Sequence, residues 1–573
     1  MHDPQPSYRA CWNVESHADG RVTAESHTTE LSDTRPTVLV LPARNVVPII
    51  FVPGIMGSNL KARADILGSG REKNRIVVHK NAPVWRVNCK ACLLAWLSRS
   101  PAERQLRLRA EVLEVDHRGA IPQNIFMFLF CSGATPMART SVALARSRGW
   151  GSVSNAFYGP FLDWLDFHLN APAADPMAGG ADNAALQHLK ASFAGHLPMG
   201  TVESDALRPL APEEFDLLKG VHTPVHAFGY NWLNSNRDSG ARLAAYIEQV
   251  ISSYRTDSHD CDQVILVTHS MGGLVARAAC TVHGASGQVL GVFHGDMPTD
   301  GAAAAYKRMV AGFGGEGEGF NPVRWLSGHV LGADGHATTP TLALNAGPLE
   351  LLPNARYRDG QPWLTVRDAE GKVLEQRPRR GDPCTEIYQQ DHAWWRPCQQ
   401  AWLNPAGIPG DVDPFTRFAT LAEHARDFHA DLRDGGDFHP NTHAHYGIGT
   451  KTPAYGEITW TLDAALQPEQ HAALQRANLD AADMRIHLSA GDLDVRATLS
   501  QPEAHGDGTV PAADSARAVE RGVPAGNLLV RDTGYSHDAG FDPGGPSNGA
   551  ESALLAIVRM LGAQVARAAP RGT

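Results

Sequence analysis

Apolar runs without alternation are the first regular feature along this chain. Pro48-Ile-Ile-Phe-Val-Pro53 is one, ended by Gly54. Gln263-Val-Ile-Leu-Val-Thr268 and Gln288-Val-Leu-Gly-Val-Phe293 are two more. A run apolar at every position suits a strand covered on both faces, as in a parallel sheet. Pro224-Val-His-Ala-Phe-Gly-Tyr230 predicts another strand. Between these runs the period lengthens. Leu243, Tyr246, Ile247, Val250 and Ile251 recur at helical spacing, which predicts a helix over residues 242–254. A second helix is predicted over about residues 272–283. Strand and helix in alternation predict a parallel α/β sheet with right-handed crossovers.

The pattern divides the chain. Residues 1–45 are polar and read as an N-terminal extension. Residues 46–60, 221–300 and 484–573 read as a discontinuous α/β core. Residues 61–220 read as an insertion, partly lid and partly core. It carries Trp85, Cys89, Leu93, Leu94, Trp96 and Leu97, and an apolar run over residues 125–130. Exposed apolar surface of that kind suits a lid at a lipid interface, although core packing explains most such clusters. Residues 301–483 read as a second insertion or cap, with Gly/Glu-rich (312–319), Pro-rich and Trp-rich stretches. Within it Phe418, Leu421, Ala422, Ala425, Phe428 and Leu432 share one face of a predicted helix that packs onto the core.

Composition narrows the partners. The chain holds 51 basic and 61 acidic residues, a formal net charge of −10, so nucleic acid is not the expected partner. The N-terminus shows no basic start followed by an apolar run, and no segment reaches transmembrane length. The expectation is synthesis in the cytoplasm and, if exported, a route without a cleavable signal. Eight cysteines are too few for a disulfide scaffold at this length. Cys89 and Cys92 form a lone CxxC, with no second pair to complete a zinc site; Cys384 and Cys398 flank Trp394-Trp395 and read as thiols, with a bridge in an oxidising compartment as the alternative. His439, His443 and His445 read as loop histidines. No metal and no cofactor is expected.

Val267-Thr-His-Ser-Met-Gly-Gly273 carries the sharpest chemistry. A β-branched strand runs into a serine and straight into a helix of small residues. This is a nucleophile elbow, in which Ser270 projects above the sheet and its neighbours two positions away must be small. Gly272 and Gly273 satisfy this on the helix side, and Thr268 stands where a glycine is usual. A serine needs a base, and the base needs an acid, in the chain order Ser, acid, His. His505-Gly-Asp-Gly-Thr-Val-Pro511 offers Asp507, and Gly534-Tyr-Ser-His-Asp538 offers His537. Asp296 is the alternative acid. The oxyanion hole needs backbone N–H groups. Met271 offers one, and Ile55, in a loop bent by Gly54 and Gly57, offers the other. The expected architecture is the α/β-hydrolase fold with large inserted cap or lid regions.

These residues resemble the lecithin:cholesterol acyltransferase and lysosomal phospholipase family. The shared motifs are Val52-Pro-Gly-Ile-Met-Gly-Ser58, Tyr230-Asn-Trp232, His269-Ser-Met-Gly-Gly273, Gly347-Pro-Leu-Glu-Leu-Leu-Pro353 and Gly506-Asp-Gly-Thr-Val-Pro511. Asn231 replaces the family's aspartate. Within that group the chain is most similar to bacterial type VI secretion lipase effectors, Tle3-like. The resemblance implies phospholipase A activity on the membrane phospholipids of rival bacteria, reached in the periplasm. It also implies an immunity protein and a secretion-spike (VgrG-type) or adaptor partner. An acyltransferase, another carboxylesterase, a peptidase or thioesterase of the same fold, and a catalytically silent binding protein remain open.

Overall fold

The computed structural model describes residues 45–68, 75–86, 95–121, 140–171, 182–256, 259–314, 330–475, 477–482 and 484–568, with short strands between residues 10 and 38. Cys89, Cys92, Leu93, Leu94, the apolar run at 125–130 and most of 312–319 lie outside the described residues, as does most of the N-terminal extension.

The core is one six-stranded sheet. Its strands are β1 (Ile49–Val52), β2 (Val225–Ala227), β3 (Val264–His269), β4 (Val289–Gly295), β5 (Thr442–Gly447) and β6 (Leu528–Arg531). They lie in the order β2-β1-β3-β4-β5-β6, and every neighbouring pair is parallel. The unbroken apolar runs follow from this. Ile50, Val52, Val264 and Leu266 enter one hydrophobic core. The alternate residues Ile49, Phe51, Ile265 and Val267 enter a second core on the opposite face. A strand with both faces buried favours apolar side chains at successive positions and admits a polar one only where it finds a partner.

Helices cover both faces. They are α1 (Asn155–Asn170), α2 (Asn236–Tyr254), α3 (Gly272–Arg277), α4 (Ala303–Ala311), α5 (Pro414–Asp434) and α6 (Gly549–Ala568). Leu243, Ile247 and Val250 of α2 join the first core, with Leu274 and Val275 of α3. Phe161 and Leu165 of α1, with Leu554 and Ile557 of α6, close the second. The helix predicted to reach residue 283 is α-helical to Arg277 and continues as one π-helical stretch, Ala278–Val282. Helix α5 buries Phe418, Ala422, Ala425, Phe428 and Leu432 as its spacing predicts. Among the described residues no helix is long and apolar enough to cross a membrane.

The structure departs from several expectations. The segment 301–483 is not wholly an insertion, because Thr442–Gly447 is a central strand of the core sheet. Nor does the core resume at 484. A second six-stranded sheet holds Leu364–Arg367, Val373–Arg377, Ile458–Leu462, Asn478–Ala482, Arg485–Ala490 and Leu493–Leu499. Residues 485–499 alternate buried and exposed positions, which suits a strand with one wet face. Trp85 and Trp96 follow the core-packing alternative rather than the lid. Both are buried, and Trp85 packs edge-on to Trp96 and Trp232 with ring centroids at 5.8 and 5.3 Å. Finally, His443 and His445 sit in strand β5 rather than in a loop.

Candidate active site

Strand β3 ends at His269, and Ser270 follows with φ at +53°. A non-glycine residue rarely takes that left-handed conformation, so the surroundings must hold it. The Ser270 N–H donates to the Gly295 carbonyl at 2.9 Å, extending the β3–β4 ladder to the turn. Gly272 then starts α3 where the backbone of β1 passes. A Cβ there would lie 2.6 Å from the Pro53 carbonyl oxygen and would also meet that of Val52. On the strand side Thr268 fits because its hydroxyl turns toward β4, 2.8 Å from His294 Nδ1.

The candidate base comes from the loop after β6. His537 Nε2 lies 2.7 Å from Ser270 Oγ, and His537 Nδ1 lies 2.7 Å from Asp507 Oδ2. Asp507 is held in that pose by its own loop. Its Oδ1 accepts the N–H groups of Thr509 at 3.0 Å and Val510 at 2.8 Å, which leaves Oδ2 for the imidazole. The His537 N–H donates to the Asp507 carbonyl at 2.8 Å. Burial works to lower the His537 pKa. The charge and hydrogen bond of Asp507, with the field of Asp296, overcome it and hold the pKa above the ordinary histidine value. Asp296, the alternative acid, follows β4. It accepts from Tyr535 Oη at 2.6 Å and meets His445 Nε2 at 3.3 Å, so its oxygens are committed away from His537.

The loop after β1 is tied down at each residue the motif singles out. Tyr230 Oη donates to the Pro53 carbonyl at 2.9 Å, and the Tyr230 N–H to Ser58 Oγ at 3.0 Å. Trp85 Nε1 donates to the Met56 carbonyl at 2.9 Å. The Gly54 N–H donates to Tyr158 Oη at 3.2 Å. Gly54 presses on Ser270, since a Cβ there would stand 2.9 Å from Ser270 Cβ. Gly57 packs as closely on the ring of Tyr158, where a Cβ would stand 2.7 Å from Cε2. Ile55 is therefore the next residue along a loop in contact with Ser270, and Met271, buried, follows Ser270 directly.

Two further motifs have structural roles. Glu350 of Gly347-Pro-Leu-Glu accepts the Asn236 N–H and the Ser235 hydroxyl, both at 2.7 Å, and so closes the N-terminus of α2. Asn231 Nδ2 donates to the carbonyls of Ala110 at 3.0 Å and Leu113 at 3.2 Å, which an aspartate cannot do. Asn231→Asp is expected to destabilise the fold by about 3 kcal/mol, because it turns a buried carboxylate on two carbonyl oxygens. Urea unfolding of the two proteins measures this.

The histidines at 439, 443 and 445 do not converge. His439 bonds the Ser286 carbonyl, and His445 turns to Asp296. Among the described residues no group of three or more His, Cys, Asp or Glu side chains is placed to hold a metal. Cys384 and Cys398 are buried free thiols. The motif reading missed Tyr158 and the side chain of His269. Tyr158 Oη lies 2.8 Å from His269 Nδ1. Tyr158 sits on α1, in sequence that reads only as an apolar helix, and nothing local marks it.

A family model described as a PGAP1-like alpha/beta domain matches residues 237–313, the stretch from α2 through the elbow to α4. No curated protein matches the chain by sequence. Among solved structures, that of the Tle4–Tli4 complex is similar, at 28% identity and a TM-score of 0.69, over 90% of this chain and 99% of that one. The chain has the α/β-hydrolase fold and resembles the Tle group, here through Tle4 where the sequence alone suggested Tle3.

Proposed function

We propose that this chain is a serine hydrolase that cleaves acyl esters of phospholipids. The observation that carries the proposal is the unbroken hydrogen-bonded series from Ser270 Oγ through His537 to Asp507. His537 takes the proton of Ser270 as Oγ attacks the ester carbonyl. The carbonyl oxygen becomes an oxyanion, held by the N–H groups of Met271 and Ile55; the Gly54 N–H is already engaged by Tyr158. His537 then returns the proton to the departing alcohol, a lysolipid. Water, deprotonated by the same imidazole, releases the fatty acid from Ser270.

The likeness to Tle4 supports a further reading, in which the chain is a type VI lipase effector that acts on membrane phospholipids in the periplasm of a target bacterium. That likeness is to a protein solved in complex with Tli4, so an immunity protein in the role of Tli4 is the expected partner. Delivery would use a spike (VgrG-type) or adaptor protein. The test is release of free fatty acid and lysophospholipid from phospholipid vesicles by the purified chain. Vesicles left intact by protein that also fails to hydrolyse p-nitrophenyl butyrate would overturn the hydrolase reading. Turnover of the small ester with intact vesicles would overturn only the lipid substrate.

A further inference from the structure

The loop that carries the proposed oxyanion donor and the loop that carries the proposed base stand far apart in the chain. Position 54 precedes the sheet's central strands, and position 537 follows its last. They meet through two buried side chains. The Gly54 N–H donates to Tyr158 Oη at 3.2 Å. Tyr158 Oη meets His269 Nδ1 at 2.8 Å. His269 Nε2 meets the carbonyl oxygen of His537 at 2.9 Å.

Only one arrangement of protons satisfies all three links. A carbonyl oxygen can only accept, so His269 Nε2 carries the hydrogen. Burial pushes the His269 pKa down to about 3, so the ring is neutral and Nδ1 is an acceptor. Tyr158 must therefore donate its hydroxyl proton, and burial also raises its pKa above the ordinary value, keeping that proton in place. Its oxygen is then free to accept from Gly54. The series runs in one direction, which strengthens each bond in it. Aromatic packing fixes the two rings. The Tyr158 and His269 ring centroids are 5.8 Å apart, those of His269 and Phe541 5.5 Å, and those of Phe51 and Tyr158 4.8 Å.

We infer that Tyr158 and His269 are positioning residues that lock the Gly54–Ile55 turn and the backbone of His537 into one register around Ser270. The inference rests on the reading of Ser270, His537 and Ile55 as reaction machinery. It goes beyond that reading in giving a task to the histidine before the nucleophile and to a tyrosine of α1. Proper alignment of nucleophile, base and oxyanion donors is worth large factors in rate, and a displacement of about 1 Å can cost about a hundredfold. His269 is well placed for this task. It lies at the end of β3, paired with Gly295 of β4, so the sheet ladder fixes its backbone.

Three conservative substitutions separate the two ends of the link. Tyr158→Phe keeps the ring and removes both hydroxyl bonds. His269→Asn keeps an acceptor near Nδ1 and loses the bond to the His537 carbonyl. His269→Gln keeps an N–H near Nε2 and loses the acceptor for Tyr158. With p-nitrophenyl butyrate, Tyr158→Phe and His269→Asn are expected to lower kcat by about 10- to 100-fold with KM within about twofold. His269→Gln, which breaks the series at Tyr158 instead, is expected to lower kcat by about 10-fold or more as well.

A second readout does not depend on turnover. The downfield proton on His537 Nδ1, shared with Asp507, is followed by NMR of histidine-labelled protein. It is expected to broaden or vanish in His269→Asn and to persist in His269→Gln. His537 also faces Asp296 and, at longer range, Arg308, which all three variants leave in place. Wild-type kcat in both Tyr158→Phe and His269→Asn would overturn the inference. So would an effect confined to KM or melting temperature, or an unchanged proton signal in His269→Asn. Absence of any ester turnover in the wild type would instead remove the hydrolase reading, while the NMR arm would still decide whether His269 holds His537.

Discussion

Replacing Ser270 with alanine is expected to lower kcat for ester hydrolysis by about 10⁵- to 10⁶-fold, the scale of losing the nucleophile from a serine hydrolase. The loss is large because the hydroxyl that meets His537 Nε2 is that of Ser270. The two N–H groups proposed for the oxyanion lie on the residue after it and on a loop in contact with it, so they would bind the ester but form no bond to it. Folding should survive. Ser270 is buried at 4% exposure, but its backbone donor and acceptor bonds to Gly295 and Gly273 do not involve the hydroxyl. Alanine tolerates the φ of +53° no worse than serine does. The measurement is steady-state hydrolysis of p-nitrophenyl butyrate alongside thermal melting. A variant that melts like the wild type and keeps more than a hundredth of its activity would remove Ser270 from the reaction.

Asp507→Asn is the second large effect, with kcat expected to fall about 10⁴-fold as the imidazole loses its tautomer and its counter-charge. The pH dependence carries a sign that distinguishes the two candidate acids. His537 must be neutral to act as base, and its pKa is held above 6.5. In the wild type, kcat/KM should therefore fall as pH drops through a value above 6.5. Burial alone pulls that value down, and Asp507 supplies the main opposing charge and the hydrogen bond. In Asp507→Asn the acid limb should move to lower pH. Asp296→Asn removes only a weaker field, because the Asp296 carboxylate is bound to Tyr535 and His445. Its cost should be about tenfold, with a small downward move of the limb. The pH profiles of kcat/KM for the three proteins measure this. A larger loss in Asp296→Asn than in Asp507→Asn would transfer the acid role to Asp296.

The legibility of this chain followed the range of the forces involved. Strands β1, β3 and β4 were readable because burial on both faces favours an unbroken apolar run. The elbow was readable because one tight turn dictates small residues at fixed offsets from Ser270, and Gly272 now faces the carbonyl oxygens that impose it. The acid loop was readable because Asp507 bonds N–H groups two and three positions ahead. Strand β5 was not. Thr442-His-Ala-His-Tyr-Gly447 is buried throughout, yet its histidines look like surface residues or ligands. His445 meets Asp296 at 3.3 Å, a partner that no local pattern reveals.

The sequence by itself determined the α/β order and the elbow turn, since each is written in residues a few positions apart, and it offered Ser270, Asp507 and His537 as candidates without joining them. Tertiary structure alone decided which carboxylate meets His537, that β5 belongs to the core while residues 485–499 do not, and that Tyr158 and His269 join two distant loops. Those outcomes depend on contacts between positions tens to hundreds of residues apart. A hydroxyl on α1 acquires its partner only when packing brings α1 against the end of β3, and no local pattern encodes that approach.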